Sequence, residues 1–322
     1  MLLLCATTLL GACAKPYVQP PGEVPVPPSL HATQAVMDDG YRLPLSRWEP
    51  QGDCRALVLA LHGLNDYRNA FATTGAYLAS RGVTVVAYDQ RGFGETEGFG
   101  YWHGSERMVR DLDIMIDLLH AAYPGCPLYV LGESMGGAVT LSALERRPAI
   151  DGVILVAPAV WSRDTMPFYQ RAALWLAVHT MPDRQLTGKG LDITPSDNIE
   201  MLRALGRDLK VIKATRVDVL YGVTNLMDAA AATAPDKTDR ALLLYGMHDE
   251  IIPKQPTCQL LEQLSGVPQA HWKVMLYENG YHMLTRDLQA DIVLRDMADW
   301  LLGKTQHQPG IPPGLAQFCA DS

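Results

Sequence analysis

Short, predominantly apolar runs punctuate the chain at residues 56–61, 83–87, 128–131, 153–156, 241–244 and 274–276. A strand with one wet face alternates apolar and polar residues; a strand covered on both faces does not. Between most of these runs the apolar spacing changes to that of a helix. Met108, Leu112, Met115, Ile116 and Leu119 share one face over residues 105–122, and Val293, Leu294, Met297, Trp300 and Leu301 do so over 287–302. Strands alternating with helices predict a doubly wound, mostly parallel α/β sheet. Upstream, residues 31–37 and 41–48 flank Asp38-Asp39-Gly40, which reads as the turn of an antiparallel pair. About 80 residues separate the run at 153 from the run at 241, more than a crossover needs. That interval holds an apolar stretch at 168–178 around Trp175 and a charged, helical stretch at 200–216. It is expected to form an inserted helical cap, about 161–236.

The ends of the chain read differently. Residues 1–13 are largely apolar up to Cys13 but too short to span a bilayer, which takes about 20 apolar residues. They fit an export signal. Leu10-Gly11-Ala12-Cys13 resembles the lipobox of bacterial lipoproteins, in which Cys13 would be lipidated; a plain secretory signal is the alternative. Ala14 rather than Asp follows Cys13, which by the same resemblance favours an outer-membrane lipoprotein facing the periplasm over inner-membrane retention. Residues 14–30 carry Pro16, Pro20, Pro21, Pro25, Pro27 and Pro28 and read as an extended tether. At about 3.1 Å per residue the stretch from Pro16 to Pro28 would reach roughly 40 Å. The folded domain is then expected over 31–303, with a tail at 304–322. A net charge of −8 argues against nucleic-acid binding. No Cys/His cluster has zinc spacing, so a structural metal is not expected. Oligomeric state is left open.

Chemistry concentrates where strands end. Gly132-Glu133-Ser134-Met135-Gly136 follows the run at 128–131 and precedes an apolar helical stretch, 137–146. This is G-x-S-x-G between strand and helix, a turn that lifts a serine above the sheet and aims the next backbone N–H at the reacting oxygen. A serine hydroxyl needs a base, and the base needs an orienting acid. After the run at 241 comes Gly246-Met247-His248-Asp249-Glu250; after the run at 274 comes Glu278-Asn279-Gly280-Tyr281-His282. Loops at the carboxyl ends of parallel strands converge over one site. Asp249 and His282 are therefore the candidate acid and base for Ser134, with Glu250 and His248 as competitors. Leu61-His62-Gly63-Leu64 ends another strand, so the Leu64 and Met135 N–H groups are the candidate oxyanion donors. The His62 side chain reads as structural. In Tyr88-Asp89-Gln90-Arg91-Gly92-Phe93-Gly94, an Asp89–Arg91 pair is expected to brace the loop.

Together these motifs resemble the monoacylglycerol lipase and lysophospholipase branch of the α/β-hydrolases, often grouped with serine aminopeptidases of the same fold. The resemblance runs from about residue 31 to 303. It implies a Ser134–Asp249–His282 triad, a carboxylic ester of a lipid or small molecule as substrate, and no cofactor. A peptidase acting on short peptides, or a ligand-binding protein that kept the fold, is the alternative. The cap sequence matches nothing in the family residue by residue; Phe168, Leu174, Trp175, Leu176 and Val178 would form an acyl entrance or simply pack the cap down. In this fold the strands after Cys54 and Cys126 are parallel neighbours, so those two cysteines are expected to pair, and Cys258 with Cys319, in an oxidising compartment.

Overall fold

The computed structural model describes residues 14–233, 238, 240–264, 272–304 and 315–320. The leader at 1–13 with Cys13, the last residues of the expected cap and most of the tail lie outside them.

The apolar runs become the strands of one sheet. Its strands are β1 (Ser29–Leu30), β2 (Gln34–Val36), β3 (Arg42–Trp48), β4 (Ala56–Leu61), β5 (Val83–Tyr88), β6 (Leu128–Glu133), β7 (Gly152–Val156), β10 (Ala241–Gly246) and β11 (Trp272–Tyr277). They lie in the order β1-β2-β3-β5-β4-β6-β7-β10-β11. β1 to β3 pair antiparallel, β3 meets β5 antiparallel, and every pairing from β5 to β11 is parallel. The pleat divides each central strand between two cores. On β4, Leu57, Leu59 and Leu61 enter the core beneath α2 (Ser105–Ala122) and α3 (Met135–Leu144). Ala56, Val58 and Ala60 enter the core beneath α1 (Ala72–Ala79) and α8 (Ala290–Leu301). Both sets are buried, which is why the runs are continuous rather than alternating.

Between β7 and β10 lie α4 (Phe168–Thr180), β8 (Gln185–Leu186), α5 (Ile199–Arg207), β9 (Thr215–Arg216) and α6 (Val217–Ala232). β8 and β9 pair antiparallel as a separate ribbon. The expected cap boundary needs correcting at its far end. Val219, Val223, Leu226 and Ala230 of α6 are buried in the same core as α2 and α3, so α6 belongs to the helical layer of the sheet. Its apolar spacing serves the main core, whereas α4 buries only Val178. α7 (Lys254–Leu264) follows β10, and α9 (Leu315–Ala320) lies in the tail. Among the described residues, no helix is long and apolar enough to cross a membrane.

The proline-rich segment does not extend away from the domain. A polyproline backbone bonds nothing internally, so its N–H groups are free for outside acceptors. The Ala14 N–H donates to His179 O (2.9 Å), Gln19 to Trp102 O (2.7 Å) and Val26 to Asp38 O (2.9 Å). The Tyr17 ring meets Tyr101 edge-on at 5.6 Å. Its last residues, Ser29–Leu30, are β1 itself. The described residues thus form a strap, not a 40 Å spacer.

Both expected disulfides are present, Cys54–Cys126 and Cys258–Cys319, with Cα separations of 5.8 and 5.7 Å. Leu57 pairs with Leu128 across β4 and β6, which brings the two chain segments before them to the same end of the sheet. The first bond closes a loop of 72 residues, for which chain entropy corresponds to about 4 kcal/mol. A Cys54→Ala/Cys126→Ala variant is expected to lose stability of that order, read as a lower urea midpoint with a steeper slope, because the unfolded chain without the cross-link exposes more surface. Full stability in the variant would show that the bond contributes nothing.

Candidate active site

The turn between β6 and α3 is held in a conformation that L-residues avoid. Ser134 has φ 52° and ψ −114°. Such a backbone costs about 1–3 kcal/mol and persists only where its surroundings enforce it. Here the Ser134 N–H donates to Val156 O at 3.0 Å, and its carbonyl accepts from the Ala138 and Ala159 N–H groups at 3.1 and 2.9 Å. Gly136 lets α3 approach the sheet: a Cβ there would stand 2.1 Å from Leu61 O.

The neighbouring strand ends close over this turn. A Cβ on Gly63 would meet Ser134 Cβ at 3.3 Å, so the loop after β4 lies directly against the serine. Among the described residues, the N–H groups of Leu64 and Met135 have no hydrogen-bond acceptor within the protein. Met135 follows the serine in the chain, and Leu64 follows the Gly63 that packs against it. His62 braces this loop: its Nδ1 donates to Gly63 O at 2.8 Å and its Nε2 accepts from the Gln90 N–H at 3.0 Å. Burial lowers its pKa and keeps it neutral, as both bonds require. Its role is structural, as the sequence indicates.

Asp249 and His282 form a buried dyad. His282 Nδ1 lies 2.8 Å from Asp249 Oδ2, while Asp249 Oδ1 accepts from the Ile251 and Ile252 N–H groups at 2.8 and 2.9 Å. Committing Nδ1 to the carboxylate leaves Nε2 for proton transfer. The competitors fall away. Glu250 accepts from the Thr194 N–H at 2.6 Å, and the exposed His248 stacks on Tyr281. No hydrogen bond joins Ser134 Oγ to His282 in this structure, although their loops are tied. Glu133, one residue before the serine, accepts from Thr285 (3.2 Å) and Arg286 (2.7 Å) in the histidine loop. Such a contact commonly tightens only with substrate bound.

The expected Asp89–Arg91 pair is not formed. Asp89 accepts from the Arg68 N–H (2.8 Å) and pairs with the Arg68 guanidinium. Arg91 turns the other way, forking onto Asp39 at 2.7 and 2.8 Å and onto Asp111. Residues two apart in a turning loop need not face each other, and each found a partner elsewhere in the chain.

Against known proteins, residues 52–289 match the family described as "Serine aminopeptidase, S33". The chain belongs to this S33 family. The S33 chain is 27% identical over 296 residues to mouse monoglyceride lipase, spanning 87% of this chain and 92% of that one. It is 26% identical over 281 residues to a monoacylglycerol lipase of Mycolicibacterium smegmatis, spanning 82% and 94%. The solved structure of a Paleococcus ferrophilus monoacylglycerol lipase superposes with a TM-score of 0.68 at 23% identity, over 82% of this chain and 99% of that one. A soluble variant of the Saccharomyces cerevisiae monoglyceride lipase gives 0.69 at 20%, over 89% and 100%. The two superpositions support the α/β-hydrolase fold read from the motifs.

The S33 site contains residues that the sequence did not single out. Glu133 occupies a free position of G-x-S-x-G, and its partner Arg286 lies 153 residues away. Nothing local marks either. In the dyad, burial by itself would depress the His282 pKa; the charge of Asp249, its hydrogen bond and the charge of Glu133 outweigh burial, so the pKa is raised above the usual 6.5. His282 is expected to titrate above 6.5 by NMR of its ring. In Asp249→Asn the main opposing charge is gone while burial remains, so the midpoint should fall. An unmoved midpoint would mean that Asp249 does not set the charge of the ring.

Proposed function

We propose that this protein hydrolyses carboxylic esters of the monoacylglycerol or lysophospholipid kind through an acyl-enzyme on Ser134. The observation that carries the reading is the Asp249–His282 dyad at 2.8 Å, on a loop that Thr285 and Arg286 tie to Glu133 beside the strained Ser134. Ser134 Oγ attacks the ester carbonyl carbon as His282 Nε2 takes its proton. The Leu64 and Met135 N–H groups hold the tetrahedral oxyanion. The carbon–oxygen bond to the alcohol breaks, and His282 returns the proton to the leaving oxygen. Water then adds to the acyl carbon by the same route, releasing the carboxylic acid and restoring Ser134.

The cap supports an apolar substrate. Of the residues named for the acyl entrance, only Val178 packs inward; Phe168 is 81% exposed, Trp175 and Leu176 each 57%. Phe168, Leu174 and Trp175 line an open cleft of about 430 Å³ with Tyr221, Arg163 and Arg171. The monoglyceride lipases among its relatives agree with this choice. The family description keeps the peptidase reading as the alternative.

We also infer an envelope location, with Cys13 lipidated as in an outer-membrane lipoprotein. Two disulfides favour an oxidising compartment. The strap sets the start of the described chain beside α4, next to the exposed aromatic residues of the cap.

Ser134→Ala is expected to abolish ester turnover, by at least about 10³-fold, and to abolish labelling by a fluorophosphonate probe. Wild-type turnover in that variant would defeat the mechanism. Across a panel, monoacyl and medium-chain esters should be cleaved faster than triacylglycerols and aminoacyl amides; faster amide cleavage would favour the peptidase. Mass spectrometry of the mature protein should find a lipidated Cys13 as first residue, and an intact Met1 would overturn the export reading.

A further inference from the structure

Three loops meet at the serine, and one buried side chain touches all three. Arg286 ends the 3-10 turn Leu284–Arg286, four residues after His282. Its Nη1 donates to Asp66 Oδ2 and its Nη2 to Glu133 Oε1, both at 2.7 Å. Asp66 is two residues past Leu64, and its N–H closes the turn onto Gly63 O at 3.3 Å. Glu133 directly precedes Ser134, and its second oxygen accepts from Thr285 at 3.2 Å. The side chains of Arg286, Glu133 and Asp66 are 9%, 2% and 8% exposed. The histidine loop is fixed from the cap as well: Asn198 Nδ2 donates to Arg286 O at 2.9 Å.

We infer that Arg286 is a positioning residue, and that the Asp66–Arg286–Glu133 cluster locks the Leu64 turn, the serine turn and the histidine loop into one unit. The inference rests on the reading of Ser134 and His282 as the reacting pair. A guanidinium suits the task because its planar fork engages two carboxylates at once, in directions fixed by the plane; an ammonium lacks that geometry. Two carboxylates against one cation also leave the cluster net negative. Burial alone would depress the His282 pKa; the charged groups that act on it are Asp249 and Glu133, which raise it, and Arg286, which lowers it. The cluster therefore acts on the base in two ways, through the placement of its loop and through its field. Misplacing reacting groups by about 1 Å costs on the order of 100-fold in rate.

The test uses the full-length protein, p-nitrophenyl butyrate as the ester, and three variants: Arg286→Met, Arg286→Lys and Glu133→Gln. Arg286→Met should lower kcat about 10- to 100-fold with KM within about twofold, the pattern expected of a residue that acts through loop placement. Arg286→Lys should regain part of the loss. Glu133→Gln keeps the side-chain shape and removes one negative charge, so the His282 titration midpoint, read by ring NMR, should fall. A folded Arg286→Met with kcat within twofold of wild type overturns the inference, as does an unmoved midpoint in Glu133→Gln. Should Arg286→Met fail to fold, the Glu133→Gln titration decides, because it needs no turnover. The same titration separates this inference from the functional one: wild-type turnover in Ser134→Ala defeats the mechanism, while the Glu133→Gln midpoint still judges the cluster.

Discussion

Everything at this site depends on holding Ser134 in a backbone conformation it would not choose. At φ 52° the residue is strained, and the strain is sustained by the sheet. β6 pairs in parallel with β4 on one side and β7 on the other, and the three Ser134 backbone bonds reach Val156, Ala138 and Ala159. Removing any layer of that packing would let the turn relax toward an ordinary loop. The neighbouring strand ends converge on this one turn, so the histidine, the acid and the oxyanion loop inherit their positions from the same register.

Buried charge organises the loops that hydrophobic packing cannot reach. Arg91 fastens the Asp39 turn to Asp111 of α2 from a position that is 1% exposed. Arg286 does the same for the loops around Ser134. Breaking such a pair by removing one partner is costly, since the other is left buried and charged; replacing the whole set by apolar groups is often neutral. These clusters thus set geometry more than they add net stability. That matches where they are found, beneath turns that must hold backbone donors and a histidine in fixed relation.

The cap follows another logic. α4 leaves most of its apolar residues in the open, including Phe168, Tyr169, Trp175 and Leu176. The strap joins its far end through the Ala14–His179 bond. An exposed apolar face of this kind is uncommon on a soluble surface and ordinarily marks a place for apolar ligands or surfaces.

Much of this was legible in the amino-acid order alone. Continuous apolar runs announced doubly covered parallel strands, and β4 and α2 lie where the periodicity put them, because local patterning and burial agree there. Ser134, Asp249 and His282 stood out because each follows a strand end, where loops of this fold converge. The Cys54–Cys126 pairing followed from strand neighbourhood, and Cys258 and Cys319 were the two cysteines left to pair. Other features had no local trace. Chain order already favoured Asp249 and His282 over Glu250 and His248, but the 2.8 Å contact between them is a matter of the fold. α6 carries a periodicity that does not say which core it faces, and the proline-rich strap shows no pattern that reveals its acceptors. Arg91 and Arg286 choose partners 52, 20, 220 and 153 residues away. A charged residue in a loop carries no periodic signal, since its partner is selected by whatever the fold brings within reach. Periodicity and motif spacing are properties of neighbouring residues, so the chain could write them down. The pairing of buried charges is a property of three-dimensional proximity, and only the tertiary structure decided it.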